Sequence, residues 1–255
     1  MRCMVRWIFV LLSVSMPAAA QKTVRLASDD WCPFVCADEQ RLISGYLVDA
    51  ANDIFGASGR QVESVFLPLN RAERMVEQGA IDGIYAPALD NRLELSKPLA
   101  MSRACFYTAP DSKWTYTGLE SLKGVAISVI DDYGYDGGSF DDYLLKAKKD
   151  QLRSVQFRTG KTAGERGVKM MVAGRIPILV EHEAVAAYLL KLQGESARLK
   201  IRQAGCLATS LPLVIGIGKN NPEAAEFIHA INTGIANLQS SGRIVTLKKK
   251  YGLAY

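Results

Sequence analysis

Three kinds of side chain in this 255-residue sequence could recognise or transform a small molecule. They are arginines near the ends of apolar runs, aromatics set beside acids, and one histidine between two glutamates. The arginines lie within and just after the stretch Val62–Pro87, VESVFLPLNRAERMVEQGAIDGIYAP. Val62–Leu67 is β-branched and aromatic, as a strand requires, and Pro68 stops it. Asn70 with Glu73 predicts a capping box, Ala72, Met75 and Val76 keep helical spacing, and Gly79 suits a left-handed C-cap. Ile81–Ala86 reads as a second strand. A strand, helix and strand of this length make a right-handed βαβ unit with parallel strands. Ligands of open α/β sheets bind beyond the carboxyl ends of the strands. Those ends carry Asn70, Arg71, Tyr85 and the loop to Arg92, so a cationic and aromatic edge is expected to face a cleft.

The aromatics recur at other strand ends. Lys22–Ser28 alternates as an opening strand, and Asp29-Asp30-Trp31-Cys32-Pro33-Phe34 follows it. Trp31 and Phe34 have two readings here, core packing or a pocket wall. Val125–Ile130 is a buried-type strand that runs into DDYGYDGG, where Tyr133 and Tyr135 alternate with glycines that permit close backbone approach. This is not a phosphate loop, because the Lys-Ser/Thr pair is missing and its acids would repel phosphate. His182 lies between Glu181 and Glu183 at a helix start, where acids stabilise the helix dipole in any case. No Ser or Cys nucleophile is placed beside it by a motif, so no catalytic residue is assigned.

The elements that must position these groups follow in order. Gly45-Tyr46-Leu47-Val48-Asp49 opens a helix, and Met101–Ala109 reads as one long strand closing a first lobe at Pro110. Phe140–Lys148, Thr162–Ala173 and Ala184–Lys191 are helices, alternating with strands at Ser154–Phe157, Pro177–Glu181 and from Leu199. Leu211–Lys219 is a second long strand returning to the first lobe, and helices follow Asn221-Pro222 and at Arg243–Tyr251. Two βα blocks joined by two strands give an α/β, two-lobed architecture. Residues 22–109 plus 214–255 form lobe 1 and residues 110–213 form lobe 2. A cleft between lobes on two strand linkers is hinge geometry, suited to closing on a small molecule.

The first 20 residues read as a signal peptide: Arg2 and Arg6, the apolar run Trp7–Val14, then Ala18-Ala19-Ala20, with cleavage before Gln21. The expected compartment is periplasmic, and the formal charge of +5 becomes +3 once those arginines leave. No basic stripe interleaved with aromatics appears, so nucleic acid is not an expected partner. Four cysteines remain, Cys32, Cys36, Cys105 and Cys206, and an oxidising compartment favours disulfides with three pairings open. Neither histidine forms a zinc set with them, so no metal or other cofactor is expected.

The chain resembles the periplasmic solute-binding proteins of bacterial ABC transporters, in the family of the polar amino-acid binders. GYLVDAANDIF, QGAIDGIYAPALDNRLELSKPL, GLESLKGVAISVI and GIANLQSSGRIVTLKKKYGL carry the resemblance by their order and spacing. It implies a type II, Venus-flytrap fold, a monomer without catalytic activity, and delivery of a polar or zwitterionic solute to a membrane permease. A membrane sensor as the partner, and a lyase or hydrolase on the same scaffold, are the alternatives. The opening WCPFVC is similar to a less characterised branch, which implies a Cys32–Cys36 disulfide, with Cys105–Cys206 as a second bridge. Arg92 falls at the arginine that clamps the ligand carboxylate, although Leu89 stands in its threonine position and Leu47 replaces a usual acid. In this reading Arg71 and Arg92 hold an anionic group. Trp31, Phe34, Tyr46, Tyr85, Tyr133 and Tyr135 wall the pocket, and Glu181 meets a cationic or hydroxyl group.

Overall fold

A computed structural model describes residues 22–38, 41–88, 92–160 and 162–253. The signal-peptide and cleavage expectations, and Leu89, lie outside the described residues. In chain order the elements are β1 Thr23–Ser28, β2 Cys36–Asp38, β3 Arg41–Ser44, α1 Tyr46–Ala57, β4 Gln61–Phe66, α2 Leu69–Glu77, β5 Gly83–Tyr85, β6 Leu93–Leu95, β7 Ala100–Ser102 and β8 Ala104–Thr108. After a 3₁₀ turn at Leu119–Leu122 come β9 Ile127–Ile130, α3 Ser139–Lys149, β10 Val155–Arg158, α4 Ala163–Val172, β11 Leu179–His182, α5 Glu183–Gln193 and α6 Glu195–Arg198. The chain ends with β12 Arg202–Cys206, β13 Leu211–Leu213, β14 Ile215–Gly218, α7 Ala224–Ser240 and α8 Arg243–Tyr251.

Two five-stranded sheets organise these elements, in the orders β4-β1-β5-β14-β6 and β10-β9-β11-β8-β12. In the first, β1 runs parallel to β4 and β5, which is the βαβ unit expected from Val62–Pro87. Its α1 and α7 bury Ile54, Phe55, Phe227, Ile231 and Ile235 in one core, and α2 covers the other face through Ala72 and Val76. In the second, β9 runs parallel to β10 and β11, with α3 on one face and α4 and α5 on the other. The carboxyl ends of β1 and β9 therefore carry Asp29–Trp31 and Asp131–Tyr133.

Three expectations need correction. The strand read over Met101–Ala109 is two strands: β7 pairs with β13 as a two-stranded connection, and β8 lies between β11 and β12 in the second sheet. Residues 104–108 thus belong with the second sheet, because all five are buried, the mark of an inner strand covered on both faces. Leu211–Lys219 is likewise divided, at Val214. The capping box at Asn70 does not form. Pro68, with its fixed φ, starts α2 directly, and Asn70 turns its amide to another partner described below.

Both cysteine pairs are bridged, Cys32–Cys36 and Cys105–Cys206, the latter across paired strands. The first closes the turn that carries Trp31. That turn docks on the start of α1, where the backbone N–H groups of Tyr46 and Leu47 donate to the carbonyls of Pro33 (3.0 Å) and Phe34 (2.9 Å). Gly45 is required at the junction: its φ is 129°, and a Cβ there would lie 2.4 Å from the Phe34 carbonyl oxygen.

Candidate functional site

The loops after β1 and β9 meet between the sheets. Tyr133 Oη donates to Asp29 Oδ2 (3.0 Å), and Asn70 Nδ2 donates to Asp132 Oδ2 (3.0 Å). The Trp31 indole stands edge-on to His182 (5.1 Å between ring centroids) and to Tyr133 (6.4 Å). This seam separates two chambers, of about 560 Å³ and 400 Å³, that share Asp29, Trp31, Leu69, Asp132 and Tyr133 in their walls. Both volumes fall in the range of small-molecule sites. The smaller chamber adds Ser28, Tyr85, Ala86, Gly134 and His182. The larger adds Asp30, Phe66, Asn70, Thr162 and one side of α5.

Among the described residues, the charge lining these walls has one sign. Acids line both chambers: Asp29, Asp30, Asp131, Asp132 and Glu165 in the larger, Asp29, Asp132, Asp141 and Asp142 in the smaller. Among the described lining residues there is no Lys or Arg. Several acids are already engaged. Lys148 pairs with Asp131 (2.6 Å) and Asp132 (2.9 Å), and the Asn70 hydrogen bond, helped by that of Lys148, holds Asp132 below the usual carboxylate range. Lys169 pairs with Glu165, and Asp141 accepts the backbone N–H groups of Tyr135 and Gly137. Asp29 differs. Its described side-chain partner is a neutral phenol, and shielding from water pushes its carboxyl up to about 6 despite that hydrogen bond. A cation brought beside Asp29 would ionise it and gain a partner in a poorly hydrated place.

The expected site residues divide. Trp31, Tyr85 and Tyr133 line the chambers. Tyr46 does not: it is fully buried under the first sheet, where its hydroxyl donates to the Leu99 carbonyl (2.6 Å). Phe34 is also core, though it tilts against Trp31 at 4.7 Å. Tyr135 is buried with its hydroxyl bonded to the Ile130 N–H (2.7 Å) and its ring stacked on His182, so it supports the wall from behind. Glu181 is buried beneath α4 and lines neither chamber. Its Oε1 accepts the His182 N–H, and burial raises it to about 7 against the pull of buried Arg158. Glycines make room for these charges, since a Cβ at Gly167 would lie 1.7 Å from Arg158 Nη1.

The arginines do not form the expected cationic edge. Arg92 pairs with Glu77 (2.6 Å) and Glu73 (3.3 Å), one turn apart on α2, on the side of the first sheet away from Trp31. Arg71 is exposed on α2 and is in neither chamber wall. The charge at the strand ends is instead carried by acids. Asp29 is the first residue after β1 and Asp132 the second after β9.

His182 is held as a neutral ring. Nε2 must donate to the Gly134 carbonyl (3.0 Å), which leaves Nδ1 to accept from the Ser102 hydroxyl (2.8 Å). Burial lowers its pKa from 6.5 to about 4. Between those values the native state binds fewer protons than the unfolded chain, so this group costs about 3 kcal/mol as pH falls from 7 to 4. Asp29 and Glu181 act oppositely: their stability is present near pH 4 and lost as pH rises through about 6 and about 7. A His182→Phe variant removes only the first effect. Relative to the wild type it should gain about 3 kcal/mol between pH 7 and pH 4 in urea unfolding. A difference independent of pH would contradict a neutral His182.

Residues 24–254 match the model of the bacterial extracellular solute-binding proteins, family 3. The chain belongs to that family. Among solved structures, it is similar to the GshT protein of glutathione import through the cystine importer TcyBC in Streptococcus mutans (18% identity, 92% of this chain and 97% of that one, TM-score 0.74). It is also similar to a histidine kinase sensor domain resembling periplasmic binding proteins (16% identity, 91% and 96%, TM-score 0.73). An ancestral arginine-binding protein bound to arginine matches with 20% identity over 91% and 99% (TM-score 0.71). At these identities the structures establish the two-lobed fold. A search of curated protein sequences finds no match. Among the described residues of this family 3 protein, no cluster of three or more His, Cys, Asp or Glu could hold a metal ion.

Proposed function

We propose that this family 3 protein is a periplasmic binding protein that captures a small organic cation or a zwitterion with a cationic arm, for uptake through a membrane importer. The observation that carries this reading is the acidic lining of the chambers among the described residues, centred on Asp29. The reading replaces an anion clamp at Arg71 and Arg92, because neither lines a chamber. The bond between Tyr133 and Asp29 crosses the cleft, so a ligand that engages Asp29 alters the contact holding the lobes together. Such coupling of binding to closure is what a downstream membrane partner reads. The similarity to an ancestral arginine-binding protein agrees with a cationic ligand. The similarity to a histidine kinase sensor domain supports a second reading, in which closure is signalled to a membrane sensor.

A catalytic role has little to work with, since both nitrogens of His182 are occupied and Glu181 is sealed under α4. The test is a thermal-shift panel on ligand-free protein with basic, neutral and acidic amino acids, polyamines and dicarboxylates. A cation at about 100 times its dissociation constant should add about 2.7 kcal/mol of apparent stability and be recovered unchanged. Stabilisation by dicarboxylates alone would refute the assignment.

A further inference from the structure

The larger chamber has a feature that a charge-binding site for a short cation does not need. Val185, Tyr188, Leu189 and Leu192 follow one another at helical spacing on α5, and all four line it. Val185 joins the first lobe's core cluster, whereas Leu192 is 62% exposed, so the stripe runs from the buried floor to the open rim. Across from it stand Phe66, Leu69 and the Cys32–Cys36 turn with Ala37. The chamber is thus acidic at the Asp29 seam and apolar along α5. The smaller chamber, of about 400 Å³, is by itself large enough for a short cationic solute.

We infer that the larger chamber is a second subsite for an apolar or aromatic arm, and that the ligand is an elongated cation of about dipeptide size. This rests on the cation reading above and narrows it. The charged group lies at Asp29, and the arm lies in the larger chamber against Tyr188, Leu189 and Leu192. Burying an arm there removes apolar surface from water on both the ligand and α5. Asp29 is itself in the wall of the larger chamber, so one molecule can meet its carboxylate and the α5 stripe together.

The test compares arginine, arginyl-glycine, arginyl-phenylalanine and citrullyl-phenylalanine by calorimetry on the full mature chain. Arginyl-phenylalanine should bind at least about tenfold more tightly than arginyl-glycine. Tyr188→Ala and Leu192→Ser should remove that advantage while leaving arginyl-glycine unchanged. Leu192 is exposed, so its replacement does not threaten folding. Equal affinities of the two arginyl peptides, or an advantage that survives both substitutions, would overturn the subsite while leaving the cation reading intact. Citrullyl-phenylalanine binding as tightly as arginyl-phenylalanine, with the same loss in both variants, would support the subsite and overturn the cation. No binding by any of the four would overturn both.

Discussion

Asp29→Asn lowers the affinity for a cationic solute by about 100-fold or more, the expected consequence of removing one partner from a poorly hydrated charge pair. The same substitution raises the stability of the ligand-free protein. In the wild type the Asp29 carboxyl is held up to about 6 by shielding from water, so its contribution is present near pH 4 and lost as pH rises through 6. Asn carries no such penalty, and the variant should gain up to about 2 kcal/mol at pH 8 once partial exposure is allowed for. The gain should vanish near pH 4. Opposite effects on binding and stability are the mark of a site that gives up stability for function. Affinity in the wild type should also fall below pH 6, as protonation removes the anion, whereas the residual affinity of Asp29→Asn should not. Calorimetry and urea unfolding on the same samples measure both effects. A variant that binds cations as the wild type does would remove Asp29 from the site.

The second large effect concerns the second sheet. Cys105 and Cys206 stand opposite each other on β8 and β12 and close a loop of 101 residues, which runs through β9, α3, β10, α4, β11, α5 and α6. A crosslink over that length restricts the unfolded chain strongly. The double variant Cys105→Ala/Cys206→Ala should therefore lose about 4 kcal/mol, or on the order of 10 °C in Tm. The Cys32–Cys36 bridge spans only four positions, so its removal should cost less by this route. Its consequence is local, because it braces the turn presenting Trp31 to His182 and Tyr133. A loss under about 1 kcal/mol in the Cys105/Cys206 variant would show that strand pairing alone holds β12 to β8.

Much of the architecture is legible in the sequence because hydrophobic period changes where elements change. The run from Val62 to Pro87 passes from strand to helix to strand with Pro68 and Gly79 as its punctuation, and β4, α2 and β5 follow that pattern. The crossing strands were less legible. Leu211–Gly218 is apolar throughout, and nothing local marks Val214 as the place where strand partners change. In Met101–Ala109 the charged Arg103 stands at the break, but a single arginine does not by itself say that the partner sheet changes there. The site was legible in its aromatics but not in its charge. Arg92 is taken by Glu73 and Glu77, whose position on α2 matters only once β6 lies beside that helix. Tyr46 and Tyr135 are drawn inward because their hydroxyls find the Leu99 carbonyl and the Ile130 N–H, long-range and loop geometry that spacing does not reveal. Asp29 and Asp132 were visible as acids beside Trp31 and Tyr133, and only the meeting of two strand ends turns them into the wall of one cleft.

The central claim is that positive charge on the solute decides recognition. It is tested most directly by calorimetric titration of the wild-type protein at pH 7.5 with two pairs of near-isosteres, arginine with citrulline and lysine with norleucine. Each cation should bind at least about 30-fold more tightly than its neutral partner, the lower end of what a poorly hydrated charge pair is worth. Equal affinity within either pair, or tighter binding of the neutral member, would contradict it.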